Sequence, residues 1–342
     1  MNWTKESLTE LYNLPLMELV YRAATVHRQH FDPLEVQRCS LLSIKTGGCP
    51  ENCSYCPQSA HYQTGVKAEK LMAVEDVLGA ARSAKKGGAT RFCMGAAWRK
   101  VRDSQDFENV LEMVKGVNEM GMECCVTLGM LTEEQAHKLK EAGLYAYNHN
   151  LDTSRNHYAN IITTRTYDDR LDTLDVVRKA GISVCCGGIV GLGETVEDRI
   201  DMLLTLSELE TPPESIPINA LVPTKGTPLE HRKKINPFEM VRMIATTRIA
   251  FPTSMVRLSA GRLSLSGAEQ ALCFFAGANS IFVGEKLLTS ANPDFDADAE
   301  LFNILGLKGM PGQVEHEHQD DEQECCEVEV GACSTSRSSC CC

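Results

Sequence analysis

An α/β fold, a (β/α)8 TIM-type barrel, follows from three observations on the 342-residue sequence. Eight short β-type runs alternate with amphipathic helical segments between Gln37 and Gly284. Their span matches the roughly 250 residues typical of an eightfold barrel. Several helical segments, "VEDVLGAARSAKKGG" and "TYDDRLDTLDVVRKAG" among them, end in glycine, a common residue just past a helix C-terminus. A doubly wound open sheet is the alternative with the same alternation.

Residues 1–36 are expected to form an N-terminal helical extension. Their opening, "MNWTKESLTELYNLPLMELV", carries acids and no continuous apolar stretch of the kind a secretory signal needs. His27 and His30, in "VHRQHFDP", are assigned to the surface or to packing.

The barrel is expected over residues 37–309. Its strands are "QRCSLLSI", "ATRFCMG", "ECCVTLG", "LYAYNHNLD", "ISVCCGGIVG", "SIPINALV", "SMVRLSAG" and "NSIFVG". Side chains along a barrel strand alternate between interior and helix-covered exterior, and the exterior set should be apolar. Phe92 and Met94 then face out and leave Arg91 and Cys93 inside. Val126 and Leu128 take Cys124 outward and turn Cys125 and Thr127 inward. Val184 shares its side with Cys186, which leaves Ser183 and Cys185 inside. The same rule groups Asn148, Asn150 and Asp152, and selects Asn219. Three cysteines therefore converge with polar residues toward the strand C-termini, where barrel enzymes keep their active sites. Cys39, Cys124, Cys186 and Cys273 are taken as small buried hydrophobes, the commonest role of a free cysteine. In "GGIVGLGET", Thr195 followed by Asp198 fits a helix capping box.

Residues 310–342 are acidic and then Ser- and Cys-rich, with six cysteines between Cys325 and Cys342, and predict a disordered tail. The net charge of −12 offers no electrostatic footprint for nucleic acid, and no basic amphipathic stretch suggests an anionic membrane. No run of eighteen apolar residues could span a bilayer, so a cytoplasmic protein is expected. Sixteen cysteines in a long chain with core enough of its own, 43% of it hydrophobic, point to metal or redox chemistry rather than disulfide staples.

The densest thiols lie in "TGGCPENCSYCPQSA". Gly47, Gly48, Pro50 and Pro57 make it a loop after the first strand rather than a helix. A loop can wrap Cys49, Cys53 and Cys56 around one object, and thiolates select zinc or iron–sulfur clusters. A Cys3His zinc site with His61 is one reading. A four-iron cluster with one iron left open is the other.

The spacing C-x3-C-x2-C, with Tyr55 before the third cysteine, resembles the radical S-adenosylmethionine (SAM) enzymes. With "LLSIKTGGCPENCSYCPQSA", "TRFCMGAAW", "YNHNLDTS", "NIITTRTY", "GGIVGLGET", "TPPESIPIN" and "VRLSAGR", residues from about 15 to 305 resemble the biotin synthase family. The resemblance implies a [4Fe-4S] cluster on Cys49, Cys53 and Cys56, whose open iron is chelated by SAM. It implies an auxiliary [2Fe-2S] cluster on Cys93, Cys125, Cys185 and an arginine, carried over to Arg262. By alternation alone Arg262 shares the outer phase of Val256 and Leu258, so its role rests on the resemblance. Asn150, Asp152, Arg170 and Gly191 are implied at the SAM site, and Asn219 at the ureido group of the substrate. The implied reaction is sulfur insertion into dethiobiotin to give biotin, the last step of biotin biosynthesis, with sulfur from the auxiliary cluster. Implied partners are an electron donor such as flavodoxin or ferredoxin, cluster assembly machinery and a second copy of the chain in a homodimer.

Overall fold

The structure, a computed structural model, describes residues 3–312. The tail expected from its composition lies almost wholly outside the described residues.

Nine parallel segments occupy eight strand positions. They are β1 (Glu35–Lys45), β2 (Arg91–Ala96), β3 (Glu123–Thr127), β4 (Ala146–Asn148), β5 (Ser183–Cys185), β6 (Gly188–Val190), β7 (Ser215–Ala220), β8 (Met255–Leu258) and β9 (Ser280–Val283). β1 pairs with both β2 and β9, which closes the sheet into a barrel and removes the open-sheet alternative. β5 and β6 are one strand position interrupted at Cys186 and Gly187. Cys185 pairs with Ser215, and Gly188 with Ile218, on β7. Pro217, which has no N–H to donate, lies between these two pairings. A tenth short strand, β10 (Lys308–Gly309), pairs with the start of β1.

The helices are α1 (Lys5–Tyr12), α2 (Leu16–His30), α3 (Val74–Lys86), α4 (Gln105–Glu119), α5 (Glu133–Glu141), α6 (Arg155–Tyr158), α7 (Tyr167–Lys179), α8 (Val196–Ser207), α9 (Pro237–Ala250), α10 (Gly267–Phe275) and α11 (Phe295–Leu305). Thr195 caps α8 as its spacing to Asp198 indicated, with reciprocal hydrogen bonds of 3.2 and 2.8 Å. The N-terminal helices are fixed to α8 and α9. Arg199 donates to the Tyr12 hydroxyl (3.0 Å), Arg242 to the Leu14 carbonyl (2.8 Å) and the Trp3 indole to the Ala250 carbonyl (3.1 Å).

Strand alternation divides the buried residues into two clusters. Phe92, Met94, Cys124, Val126, Leu128, Ile182, Val184 and Cys186 belong to the main core between barrel and helices. Cys93, Cys125, Ala146 and Phe282 form a separate interior cluster. Cys39 departs from the expectation of plain packing: it stands inside the barrel with Cys93 and Cys125. Cys273 packs in the main core.

His27, on α2, is buried rather than superficial, and its Nε2 has no hydrogen-bond partner. Burial, with Arg248 and Arg28 nearby, pushes its pKa down to about 4 from 6.5. The folded-state value is depressed, so below pH 6.5 the unfolded chain takes up a proton that the folded one refuses. Stability should be full above pH 6.5 and decline toward pH 4, by on the order of 3 kcal/mol. Urea unfolding of the metal-free protein across this window checks it: His27→Gln should flatten that part of the profile.

Candidate active site

A cavity of about 700 Å³ opens at the C-terminal end of the barrel. Tyr55 and Cys56 from the loop after β1, Cys93 and Cys125 from the strands, and Val222 to Lys225 from the segment after β7 all line it. A rim loop and a barrel floor thus place thiols on one space.

The rim loop has a fixed conformation. Gly47 and Gly48 adopt left-handed backbone (φ 68° and 66°), and a Cβ on Gly47 would stand 2.5 Å from the Lys67 carbonyl oxygen, so only glycine fits there. Cys49 and Ser59 form a β-bridge that closes the loop on itself. Asn52 ties it to the segment before α7: its Nδ2 donates to Thr163 Oγ1 (2.6 Å) and its Oδ1 accepts from the Thr163 N–H (2.9 Å). Ser54 Oγ donates to the Ile161 carbonyl (2.8 Å). Burial pushes the Cys53 thiol up to about 12 and the Cys56 thiol up to about 11, and raises Cys49 as well. Without a metal these groups are neutral thiols; a cluster that draws off their protons offsets the burial. Three soft donors on one anchored loop, Cys53 buried and Cys49 and Cys56 half-buried, suit an iron–sulfur centre. His61 is exposed, and its Nε2 lies 3.1 Å from the Pro50 carbonyl.

Next to the loop, Asp152 joins three elements. Its Oδ2 accepts from the Tyr55 hydroxyl (2.9 Å) and from Arg170 Nη2 (2.7 Å), and Arg170 Nε donates to the Tyr158 hydroxyl (3.0 Å). Among the described residues Asp152 is the one non-glycine with a left-handed backbone (φ 68°), a strained conformation of the sort found at binding sites. The strand break makes it possible: Asp152 bridges Gly188, and the Ile189 N–H donates to its carbonyl (2.8 Å). Asn150 Oδ1 accepts from the Gly187 N–H (3.1 Å). Arg165, passed over in the sequence, lines the cavity with its Nη1 buried and unpartnered. It lies near enough to Cys49 and Cys53 to draw their pKa values down against burial.

On the floor, Cys93 and Cys125 are register partners across β2 and β3, and the Cys125 thiol beside it, with burial, raises the Cys93 pKa. Asn148 Nδ2 donates to Cys185 Sγ (3.2 Å). The arginine in this group is Arg257, not Arg262. Arg257 on β8 approaches Cys185 Sγ with Nη1 (3.6 Å) and Cys39 Sγ with Nη2 (3.4 Å), and its Nε donates to Ser280 Oγ (2.9 Å). Phe282 lies under its guanidinium, 4.8 Å to the ring centroid. Beneath it Arg91 pairs with Glu123 (2.6 Å) and leaves Nη1 buried and unpartnered. Three thiols beside a guanidinium, in a chamber with an unmet donor, fit a second polynuclear centre.

Arg262 falls outside this chamber. Past the end of β8 at Leu258, Gly261 (φ 94°) makes a left-handed turn, and Arg262 opens a short 3-10 helix. Its guanidinium is spent on Gln270 Oε1 (3.0 Å), the Phe282 carbonyl (3.0 Å) and both oxygens of Asp298. Gly191 is also away from the cavity wall, with its N–H on Glu194 (2.9 Å). Asn219 does line the cavity, held by Nδ2 on the Gly188 carbonyl (3.1 Å) and by Oδ1 under the Ala260 N–H (3.2 Å).

Known proteins match the chain over nearly its whole described length. Residues 43–206 match the Radical SAM superfamily, and residues 217–308 match the Biotin and Thiamin Synthesis associated domain. The chain is 66% identical over 307 residues to the biotin synthase of Cytophaga hutchinsonii, covering 90% of this chain and 91% of that one. The chain belongs to the biotin synthase family. Biotin synthase from Myxococcus xanthus is 60% identical, covering 92% of this chain and 91% of its own. The mitochondrial biotin synthase of Arabidopsis thaliana is 57% identical, covering 97% and 87%. Biotin synthase converts dethiobiotin to biotin by radical SAM chemistry with SAM, a [4Fe-4S] and a [2Fe-2S] cluster, and this is the activity and cofactor set of the chain. Among solved structures, methylornithine synthase (TM-score 0.76, 20% identity, 91% of this chain and 95% of that one) shares the fold. So does HydG, a maturase of [FeFe]-hydrogenase (TM-score 0.77, 18% identity, 90% and 72%). Among the described residues no helix is long and apolar enough to cross a membrane.

Proposed function

We propose that Cys49, Cys53 and Cys56 hold the [4Fe-4S] cluster at the cavity rim, and that Cys93, Cys125 and Cys185 with Arg257 hold the [2Fe-2S] cluster on its floor. The observation that carries this reading is that Cys56, Cys93, Cys125 and Arg257 line one cavity. When bound, the rim cluster with SAM supplies the radical that takes hydrogen from a saturated carbon, and the floor cluster supplies sulfur. Everything else is positioning by the chain.

Asn52, Thr163 and Thr164 hold the cysteine loop against the barrel, which sets the rim cluster over the floor. Asp152 and Asn150 present a carboxylate and an amide to the ribose of SAM. Tyr55 and Arg170 orient that carboxylate, and Arg165 offers its unpaired Nη1 to the SAM carboxylate. Asn219 has one N–H and one lone pair left after its two backbone contacts, the complement of a ureido group. Residues 1–36 serve as a helical extension and 37–309 as the catalytic barrel. A flavodoxin- or ferredoxin-type reductant, cluster assembly machinery and a second subunit complete the proposed system.

The two arginines test the floor assignment. Arg257→Leu should change the absorption and the potential of the [2Fe-2S] cluster after anaerobic reconstitution. Arg262→Leu should leave both as they are and destabilise the barrel by about 3 kcal/mol, because Asp298 loses its buried partner. An altered cluster in Arg262→Leu with an unaltered one in Arg257→Leu would return the role to Arg262.

A further inference from the structure

Cys39 is fully buried inside the barrel with Cys93 and Cys125. Its Sγ lies 3.4 Å from Arg257 Nη2, and it packs in one interior cluster with Cys93. Gln37 Oε1 at 3.4 Å and Ser280 Oγ at 3.7 Å are its other polar contacts. The chamber therefore holds four thiols around one guanidinium, one thiol more than the proposed ligand set uses.

A thiolate is a softer and stronger donor to iron than a guanidine nitrogen. Ligands of one tetrahedral metal stand roughly 2.3 Å from it, so donor atoms 3.4 Å apart can reach the same coordination position in turn. Building on the placement of the floor cluster, we propose that Cys39 is a reserve ligand that exchanges with Arg257 on one iron. With the cluster bound, the exchange would break the iron–nitrogen bond to Arg257 and form an iron–sulfur bond to Cys39. The thiol proton crosses the existing Sγ–Nη2 contact and makes the guanidine a guanidinium, so no electron moves and the chamber keeps its net charge. The result is a four-thiolate form of the cluster, available when Arg257 withdraws.

The test uses full-length wild type, Arg257→Leu, Cys39→Ala/Arg257→Leu and Cys124→Ala/Arg257→Leu, reconstituted anaerobically with iron and sulfide. Mössbauer spectroscopy measures the [2Fe-2S] content apart from the [4Fe-4S] cluster, and a redox titration gives its potential. Arg257→Leu should retain the cluster at a more negative potential than wild type, since a thiolate has replaced a neutral donor. Cys39→Ala/Arg257→Leu should lose at least tenfold in occupancy. Cys124→Ala/Arg257→Leu lacks a thiol outside the barrel and should retain it; Cys39→Val/Arg257→Leu, close in size to the native thiol but with no donor atom, controls for packing and should lose it too. Loss of the cluster in Arg257→Leu alone, or equal retention at equal potential in both Arg257→Leu and Cys39→Ala/Arg257→Leu, would overturn the proposal. Wild type that loads no [2Fe-2S] cluster, or a Cys93→Ala variant that keeps it, would instead remove the floor placement and the reserve ligand with it.

Discussion

Cys53→Ala is expected to reduce formation of 5'-deoxyadenosine from SAM to background while the barrel stays folded, with Cys49→Ala and Cys56→Ala behaving alike. Each variant should lose roughly four irons per chain, because three thiolates are the fewest that hold a cube with one open iron. The fold should survive because the ligands sit on a loop whose anchors, Asn52 to Thr163 and Ser54 to Ile161, do not involve sulfur. Far-ultraviolet circular dichroism with a reductive cleavage assay separates the two effects. Sustained 5'-deoxyadenosine formation in any one variant would remove that cysteine from the ligand set.

The second large effect divides neighbouring residues. Cys125→Ala and Cys185→Ala should abolish the [2Fe-2S] absorption and biotin formation, whereas Cys124→Ala and Cys186→Ala should keep the cluster. Cys124 and Cys186 face the helices in the main core, so their truncation costs about 1 kcal/mol of packing. Equal loss of absorption in all four would contradict the division of the barrel into interior and exterior.

That division was legible because the barrel exterior is covered by helices: Phe92 with Met94 and Val126 with Leu128 mark the outward side, and Cys93 and Cys125 follow on the other. The first strand was harder. Leu41 and Leu42 are adjacent and both apolar, so neither phase stands out and Cys39 passed for ordinary packing. In "VRLSAGR" alternation put Arg262 on the outer phase, yet the resemblance carried the ligand role to Arg262 and passed over Arg257. The end of β8 at Leu258 and the turn at Gly261 separate the two, taking Arg262 out of the strand and leaving Arg257 on the floor. The contacts of Asn52 with Thr163, and of Tyr55 with Asp152, join residues about a hundred positions apart and leave no local periodicity to find. Arg165 escaped notice because its free Nη1 is a property of packing rather than of sequence pattern.

The placement of two clusters on one cavity is tested most directly by following sulfur. The enzyme is reconstituted so that its floor cluster carries isotopically labelled sulfide, then given SAM, dithionite and dethiobiotin under anaerobic conditions. Mass spectrometry should find the label in biotin, with about two 5'-deoxyadenosines per product, one hydrogen abstraction for each carbon held near the radical. Unlabelled biotin from an enzyme whose floor cluster is fully labelled would contradict it.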